Sequence, residues 1–241
     1  GPDGRERHRW VDTSDLLAVG FDHLVPGNRS PTVNHLRLWS GRAFNPFQIE
    51  SFNHGNYPAA VEEQIAAKNV SRVLYPHDST PQGRELRLRQ QYFFVSASLQ
   101  DLLATHLAEG RSLDDLPRSV AIQLNDTHPT LAIPELMRLL VDEHDLGWER
   151  AWEITRGTFA YTNHTLLPEA LETWPVATFE RLLPRHLQIV YLINRDFLKA
   201  AAERFPDDHG RFERLSIIDE NHGRQVRMSH LAVVGSRKVN G

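Results

Sequence analysis

The chain contains no cysteine among its 241 residues. That excludes a disulfide framework and any thiolate metal site. No apolar run approaches the roughly 20 residues of a membrane-spanning helix, so no transmembrane segment is expected. Lysine is scarce: Lys68, Lys199 and Lys238 are the only ones. The other basic residues are arginine, a skew that suggests a GC-rich source and carries no functional meaning. No Gly-x-Gly-x-x-Gly or Walker-type loop occurs, so a self-contained nucleotide site is not expected. Internal repeats and low-complexity linkers are also missing. The net charge of -4 gives no global attraction to nucleic acid or to an anionic membrane. The first ten residues are polar and charged, so no signal peptide is expected, and a cytoplasmic protein is the default expectation.

What is present is ordinary globular material. The hydrophobic fraction is 40% and the charged fraction 24%, enough to bury a normal core. The length suits one large domain or two small ones. The chain does not begin with methionine, and it stops at Gly241 just after an apparent strand. An internal piece of a longer protein is therefore expected.

Patterning predicts alternating strands and helices. Residues from Trp10 to about Ala43 read as two or three antiparallel strands, with a turn signal at Val25-Pro26-Gly27-Asn28. Tyr57 to Lys68 reads as a helix, Val70 to Leu74 as a short strand, and Leu86 to Leu107 as a long amphipathic helix. Then follow strand 119–124, helices 130–144 and 148–156, strand 157–162, helices near 168–173 and 176–182, helix 184–204 and a short helix near 208–216. The run Met228 to Gly235 reads as a strand. The expected class is α/β, with a mostly parallel sheet and flanking helices.

Two segments concentrate chemistry at strand ends. Thr158-Phe159-Ala160-Tyr161 suits a buried strand, and Thr162-Asn163-His164-Thr165 follows it. Pro168 and Glu169 then suit a helix start. Val120-Ala121-Ile122-Gln123-Leu124 likewise runs into Asn125-Asp126-Thr127-His128 and then an amphipathic helix. Each loop alone is better read as a strand-to-helix turn with satisfied polar caps. Two such loops in one parallel sheet would face the same crevice, where α/β sheets bind ligands. His164 is not expected to bind metal, because no other His, Asp or Glu lies at ligand spacing on a shared helix face.

Seven segments occur in an order and spacing similar to those of glycogen (α-1,4-glucan) phosphorylases. They are Leu36–Ser40, Ser71–Pro76, Glu85–Phe93, Gln123–Pro129, Tyr161–Thr165, Leu183–His186 and Val239–Gly241. The resemblance implies a partial N-terminal domain, residues 1–241, of a two-domain Rossmann-like glycosyltransferase (GT-B) whose active site lies between its halves. It implies phosphorolysis: α-1,4-glucan and inorganic phosphate give glucose 1-phosphate and a shortened glucan, with retained configuration. It places His164 against the glucosyl unit, with the Thr165 backbone beside it. It places Asp126 and His128 on the β side of the sugar, with Glu172 and Arg87 as further members of the pocket. Without the resemblance, Glu172 reads equally as a solvated helix carboxylate, and Arg87 as one of several arginines solvating a helix end. Asp78 falls in a mobile loop that gates the family's active site. Better-known members carry asparagines on both sides of it, where this chain has His77 and Ser79.

The resemblance also implies pyridoxal 5'-phosphate, held by a lysine in a Gly-rich motif of the C-terminal domain. None of the three lysines lies in such a motif, so the attachment site is expected outside this chain, together with the phosphate clamp. A homodimer through helix 57–68 is implied as well, although the stripe Tyr57, Ala60, Val61 and Ile65 suits packing on its own domain equally. Two other readings remain open. A glycoside hydrolase would use Asp126 and Glu172 as paired carboxylates. A non-catalytic carbohydrate-binding or dimerisation module would use neither.

Overall fold

A computed structural model describes residues 8–167, 171–206, 209–221 and 223–241. They fall into two compact units: Val11–Ala97, and Ser98–Gly241 joined by the segment ending at Trp10.

In the unit Val11–Ala97, strands β1 (Leu16–Pro26) and β2 (Val33–Ala43) pair antiparallel from Leu16↔Ala43 to Pro26↔Val33. Short helices α1 (Ile49–Asn53) and α2 (Tyr57–Ala60) lead into α3 (Glu62–Arg72). The expected helix 57–68 is thus two helices, broken where Val61 leaves helical geometry. β2 and α3 meet backbone to backbone. A Cβ on Gly41 would stand 2.4 Å from the carbonyl oxygen of Ala67, so only glycine fits there.

The expected strand over Val70 to Leu74 does not form. Residues 70–72 complete α3, and the chain then turns through Tyr75, whose φ of 55° is left-handed. Buried Gln90, on the long helix α4 (Pro81–Ala108), holds this turn. Its Nε2 donates to the carbonyls of Val70 and Val73 at 2.9 and 2.8 Å, and its Oε1 accepts from the Tyr75 amide at 2.9 Å. A side chain satisfies the backbone groups that a strand partner would otherwise take. The Asp78 loop follows, and Thr80 caps α4 by accepting from the Gly83 amide at 3.1 Å.

The second unit runs through α5 (Leu116–Ser119), β3 (Ile122–Asn125), α6 (Ala132–Arg138), α7 (Trp148–Thr158) and β4 (Phe159–Thr162). It continues through β5 (Thr173–Pro175), α8 (Val176–Leu182), α9 (Pro184–Arg204) and α10 (His209–Leu215). It ends with β6 (Ile218–Asp219), β7 (Gln225–Arg227), α11 (Met228–Val234) and β8 (Lys238–Asn240). β3, β4 and β8 form a parallel sheet in that order, while β5, β7 and β6 form a small antiparallel one. The class is α/β with a parallel sheet and flanking helices, as the patterning predicts.

Two expectations here are corrected. The run expected as a strand over Met228 to Gly235 is the helix Met228–Val234 capped by Gly235: Met228, Leu231 and Ala232 are buried at i, i+3 and i+4, a helical stripe that a short apolar run hides. The helix expected near 168–173 does not extend to its end, because Thr173 opens β5 against β7. Pro168 and Glu169 lie outside the described residues.

α6 is buried on almost every side, and Leu131, Ile133, Leu136, Met137 and Leu140 around it are fully enclosed. Glu135 shares that burial. Its carboxylate accepts from His186 Nε2 at 2.6 Å and from Arg138 at 2.8 and 3.1 Å. Burial opposes its ionisation. The hydrogen bond and charge of His186, then those of Arg138, overcome this and hold the carboxyl down at about 2. A π-helical turn, Leu139–Glu143, extends α6 and presents Asp142 to Arg185 through two bonds of 2.7 Å.

Two expectations follow. A carboxyl lowered from 4.5 to about 2 adds stability that is complete above pH 4.5 and vanishes as pH falls through 2. The shift corresponds to about 3 kcal/mol. Glu135→Gln should therefore flatten the pH dependence of the urea midpoint between pH 4.5 and 2; parallel curves for variant and parent would refute the assignment. Gln90→Met should cost about 1–3 kcal/mol by orphaning three backbone groups. It should also speed amide exchange over residues 70–76 more than along α4, and uniform exchange would contradict the role given to Gln90.

Candidate ligand site at the carboxyl end of the parallel sheet

Registers Asn125↔Thr162 and Thr162↔Asn240 bring the carboxyl ends of β3, β4 and β8 level. Leu124 and Tyr161 point into the core. Alternation then puts Gln123, Asn125, Thr162 and Asn240 on the opposite face. There Gln123 Nε2 donates to Thr162 Oγ1 at 2.7 Å, and that hydroxyl donates to Asn240 Oδ1 at 3.0 Å.

The ladder continues one step past each strand. The Asp126 amide donates to Thr162 O at 3.0 Å, and the Asn163 amide to Asn240 O at 2.9 Å. Asp126 is thereby held at φ 61°, a left-handed conformation that costs free energy in a residue with a Cβ. Its carboxylate has no hydrogen-bonding partner among the described residues, and it lies close enough to act on Tyr161. Burial pushes the Tyr161 hydroxyl pKa up, and the Asp126 charge adds to the rise.

Asn163 builds the next turn with its own side chain. Its Oδ1 accepts from the Thr165 amide at 3.3 Å and from the Tyr161 hydroxyl at 3.5 Å, while its Nδ2 donates to Thr165 O. Thr165 Oγ1 accepts from the Leu167 amide at 3.2 Å. His164 stands exposed on this scaffold, and no described residue hydrogen-bonds its ring. A histidine satisfied by a backbone carbonyl, as at His106 with Ser112 O at 2.7 Å, is what a purely structural role looks like here. His164 differs from that pattern. His128 is half-buried two residues beyond Asp126.

The other sequence candidates stand elsewhere. Glu172 precedes β5 rather than sitting on a helix, and its carboxylate accepts from Trp174 Nε1 at 3.0 Å. Asp78 and Arg87 belong to the Val11–Ala97 unit, where they pair at 3.2 Å and Arg87 stacks over the Tyr75 ring at 5.5 Å. Among the described residues no group of three or more His, Asp or Glu forms a metal cluster, and no helix is long and apolar enough to cross a membrane. Thr162 was marked only as part of the polar cluster after its strand, and Gln123 and Asn240 were not singled out by their residue types. Their signal is the period-2 alternation of three strands, readable only once the strands are known to be neighbours.

Comparison with known proteins supplies the context. The family model for carbohydrate phosphorylases matches residues 1–241. The chain is 52% identical to the liver form of glycogen phosphorylase from Bos taurus, over 99% of this chain and 30% of the relative. It is 51% identical to the muscle form from Ovis aries, with the same coverage. It is 50% identical to the brain form from Homo sapiens, over 100% of this chain and 29% of the relative. The chain thus spans about a third or less of the length of these relatives. The family match over residues 1–241 and similarity at this level over nearly the whole chain show that the chain belongs to the carbohydrate phosphorylase family.

Proposed function

We propose that these 241 residues form the glucose-side wall of an α-glucan phosphorylase, as a partial N-terminal domain whose cofactor domain lies in the remainder of the protein. The whole enzyme would convert α-1,4-glucan and inorganic phosphate to glucose 1-phosphate with retained configuration. The observation that carries this reading is the register of β3, β4 and β8. It sets Asp126 and His164, both with polar groups not bonded by any described residue, at one end of one sheet. A sugar ring presents hydroxyls around its rim, and such a site needs donors and acceptors fixed in advance. His164 can donate or accept, Asp126 accepts, and the Asn163 turn holds the Thr165 backbone rigid.

Glu172 is a weaker member of this wall, because the Trp174 indole already engages its carboxylate. That bond also weighs against a hydrolase using Asp126 and Glu172 as its pair. Asp78, in the segment that resembles the family's gating loop, and Arg87, as a further substrate-binding residue, are carried in this reading by the resemblance, and the structure adds only that the two side chains pair.

Pyridoxal phosphate is the cofactor that the family implies. Its chemistry in such an enzyme is proton exchange with the substrate phosphate. Lys68, Lys199 and Lys238 do not fit its attachment: each is exposed on α3, α9 or β8, whereas a cofactor lysine needs a desolvated pocket. The attachment lysine is assigned to the remainder of the protein, and the 241-residue chain alone should be inactive.

We further propose a homodimer through residues 57–68. α3 packs on its own unit through Ala67 and Val70, yet Ile65 is 50% and Tyr57 59% exposed. Tyr57 extends an aromatic row, with Phe52 at 4.9 Å and Phe47 at 5.3 Å from Phe52. An apolar surface of that kind fits a subunit contact.

In the full-length enzyme, His164→Ala should lower phosphate-dependent release of glucose 1-phosphate by about 10²-fold with little change in folding. Near-normal turnover would return His164 to a structural role. Glucan cleavage by the parent enzyme without phosphate would point to a hydrolase, and glucan binding without turnover to a binding module. Ile65→Glu in the full-length protein should weaken the dimer in sedimentation; an unchanged dimer affinity would remove this helix from the contact.

A further inference from the structure

We propose that the buried Glu135–His186 pair is a positioning device for the loop carrying Asp126 and His128, fixing the rotation and depth of α6 and so the stance of both side chains. The proposal rests on the reading of this sheet end as the glucose-side wall.

The loop has no slack. Thr130 N donates to Thr127 O at 3.1 Å, Ala132 N to Pro129 O at 2.9 Å, Ile133 N to Thr130 O at 3.1 Å and Glu135 N to Leu131 O at 3.0 Å. Thr127, Thr130 and Leu131 are buried along it. Each turn closes on the next, from Thr127 to Glu135. At its other end the Asp126 amide is tied to β4. A rotation of α6 therefore moves His128 directly, with nothing between them to absorb it.

Glu135 is what sets that rotation. Arg138 Nε and Nη2, on α6 itself, orient its carboxylate within the helix, and His186 Nε2 on α9 then ties that oriented carboxylate, and with it α6, to the neighbouring helix. The partner side is equally constrained. The Trp10 ring lies 5.6 Å from the His186 ring, and Arg185 next to it is clamped to Asp142.

Two local rules are broken to make this contact. Arg185 and His186 sit in the first turn of α9, the end of a helix that disfavours cations. A carboxylate occupies a core that apolar side chains would fill at no loss of stability, since buried ion pairs seldom outperform them. What the ionic pair supplies, and an apolar pair does not, is a single angular setting.

The test uses the full-length enzyme with two variants, Glu135→Gln and the apolar double variant Glu135→Met/His186→Leu. Both should fold. Both should show kcat for phosphorolysis lowered by about 10-fold, with KM for glucan changed less than about two-fold, because the reacting sugar is displaced while glucan binding is not. Amide exchange should rise over residues 126–131 and stay at parent level over 159–163. The conservative Glu135→Asp should recover less activity than its retained charge alone would give, since its shorter side chain moves α6. A folded double variant with parent kcat, or unchanged exchange over 126–131, would overturn the proposal. Failure of both variants to fold would also overturn it and leave the pair a simple stability element. An inactive parent enzyme would instead sink the functional reading, and the exchange measurement would still decide the positioning.

Discussion

Parallel pairing imposes one condition that everything else in the second unit serves: strands running the same way must end on the same side. β3 and β4 are separated in sequence by α6, the π turn and α7, yet their register places Asn125 beside Thr162. The crossover helices exist to return the chain to that edge. Once there, the backbone ladder runs one residue beyond the strands and freezes Asp126 and Asn163 before any side chain acts. The strained φ of Asp126 is tolerated because the bond to Thr162 over-determines it.

Both units fix their loops with buried polar side chains rather than with more backbone pairing. Gln90 does so by hydrogen bonds alone, reading three backbone groups at once. Glu135 does so with charge, at a cost in desolvation that His186 and Arg138 offset. The difference follows from what surrounds them. Amide groups at a helix end call for a neutral donor and acceptor in one side chain, which glutamine supplies. Two helices to be locked against rotation call for a group that several donors can converge upon.

Much of this was legible in the residues. The long helix α9 follows from sustained apolar periodicity and has the expected limits, whereas α4 starts at Pro81, before the expected Leu86, and is buried on several faces rather than on one apolar stripe. The strand ends at Asn125 and Thr162 follow from apolar runs that stop in hydrogen-bonding residues. Short segments were not legible. Leu231-Ala232-Val233-Val234 has the same apolar content as a strand or a helix, and burial on the helical spacing decided it. Val70 to Leu74 has strand composition but no partner, because Gln90, twenty residues past Val70, occupies its backbone groups. The site was half legible for the same reason: residue types mark Asp126 and His164, while the Gln123–Thr162–Asn240 chain depends on which strands lie side by side. Glu135 gave no signal, since a glutamate in an amphipathic helix is ordinarily solvated.

The π turn at Leu139–Glu143 has a consequence for which changes of length the chain can accept. An i→i+5 turn holds one more residue than an α-turn and so advances the helical phase by about 100°. Upstream of it Arg138 faces Glu135; downstream, Asp142 and Glu143 turn back toward Arg185 and Arg138. The extra residue is a phase shifter that lets one short helix serve two ion pairs on one flank. Deleting a single residue there would restore regular α-helix and swing Asp142 off Arg185. This segment is thus frame-sensitive in the way a reading frame is: its spacing matters more than the identity of any one of its side chains.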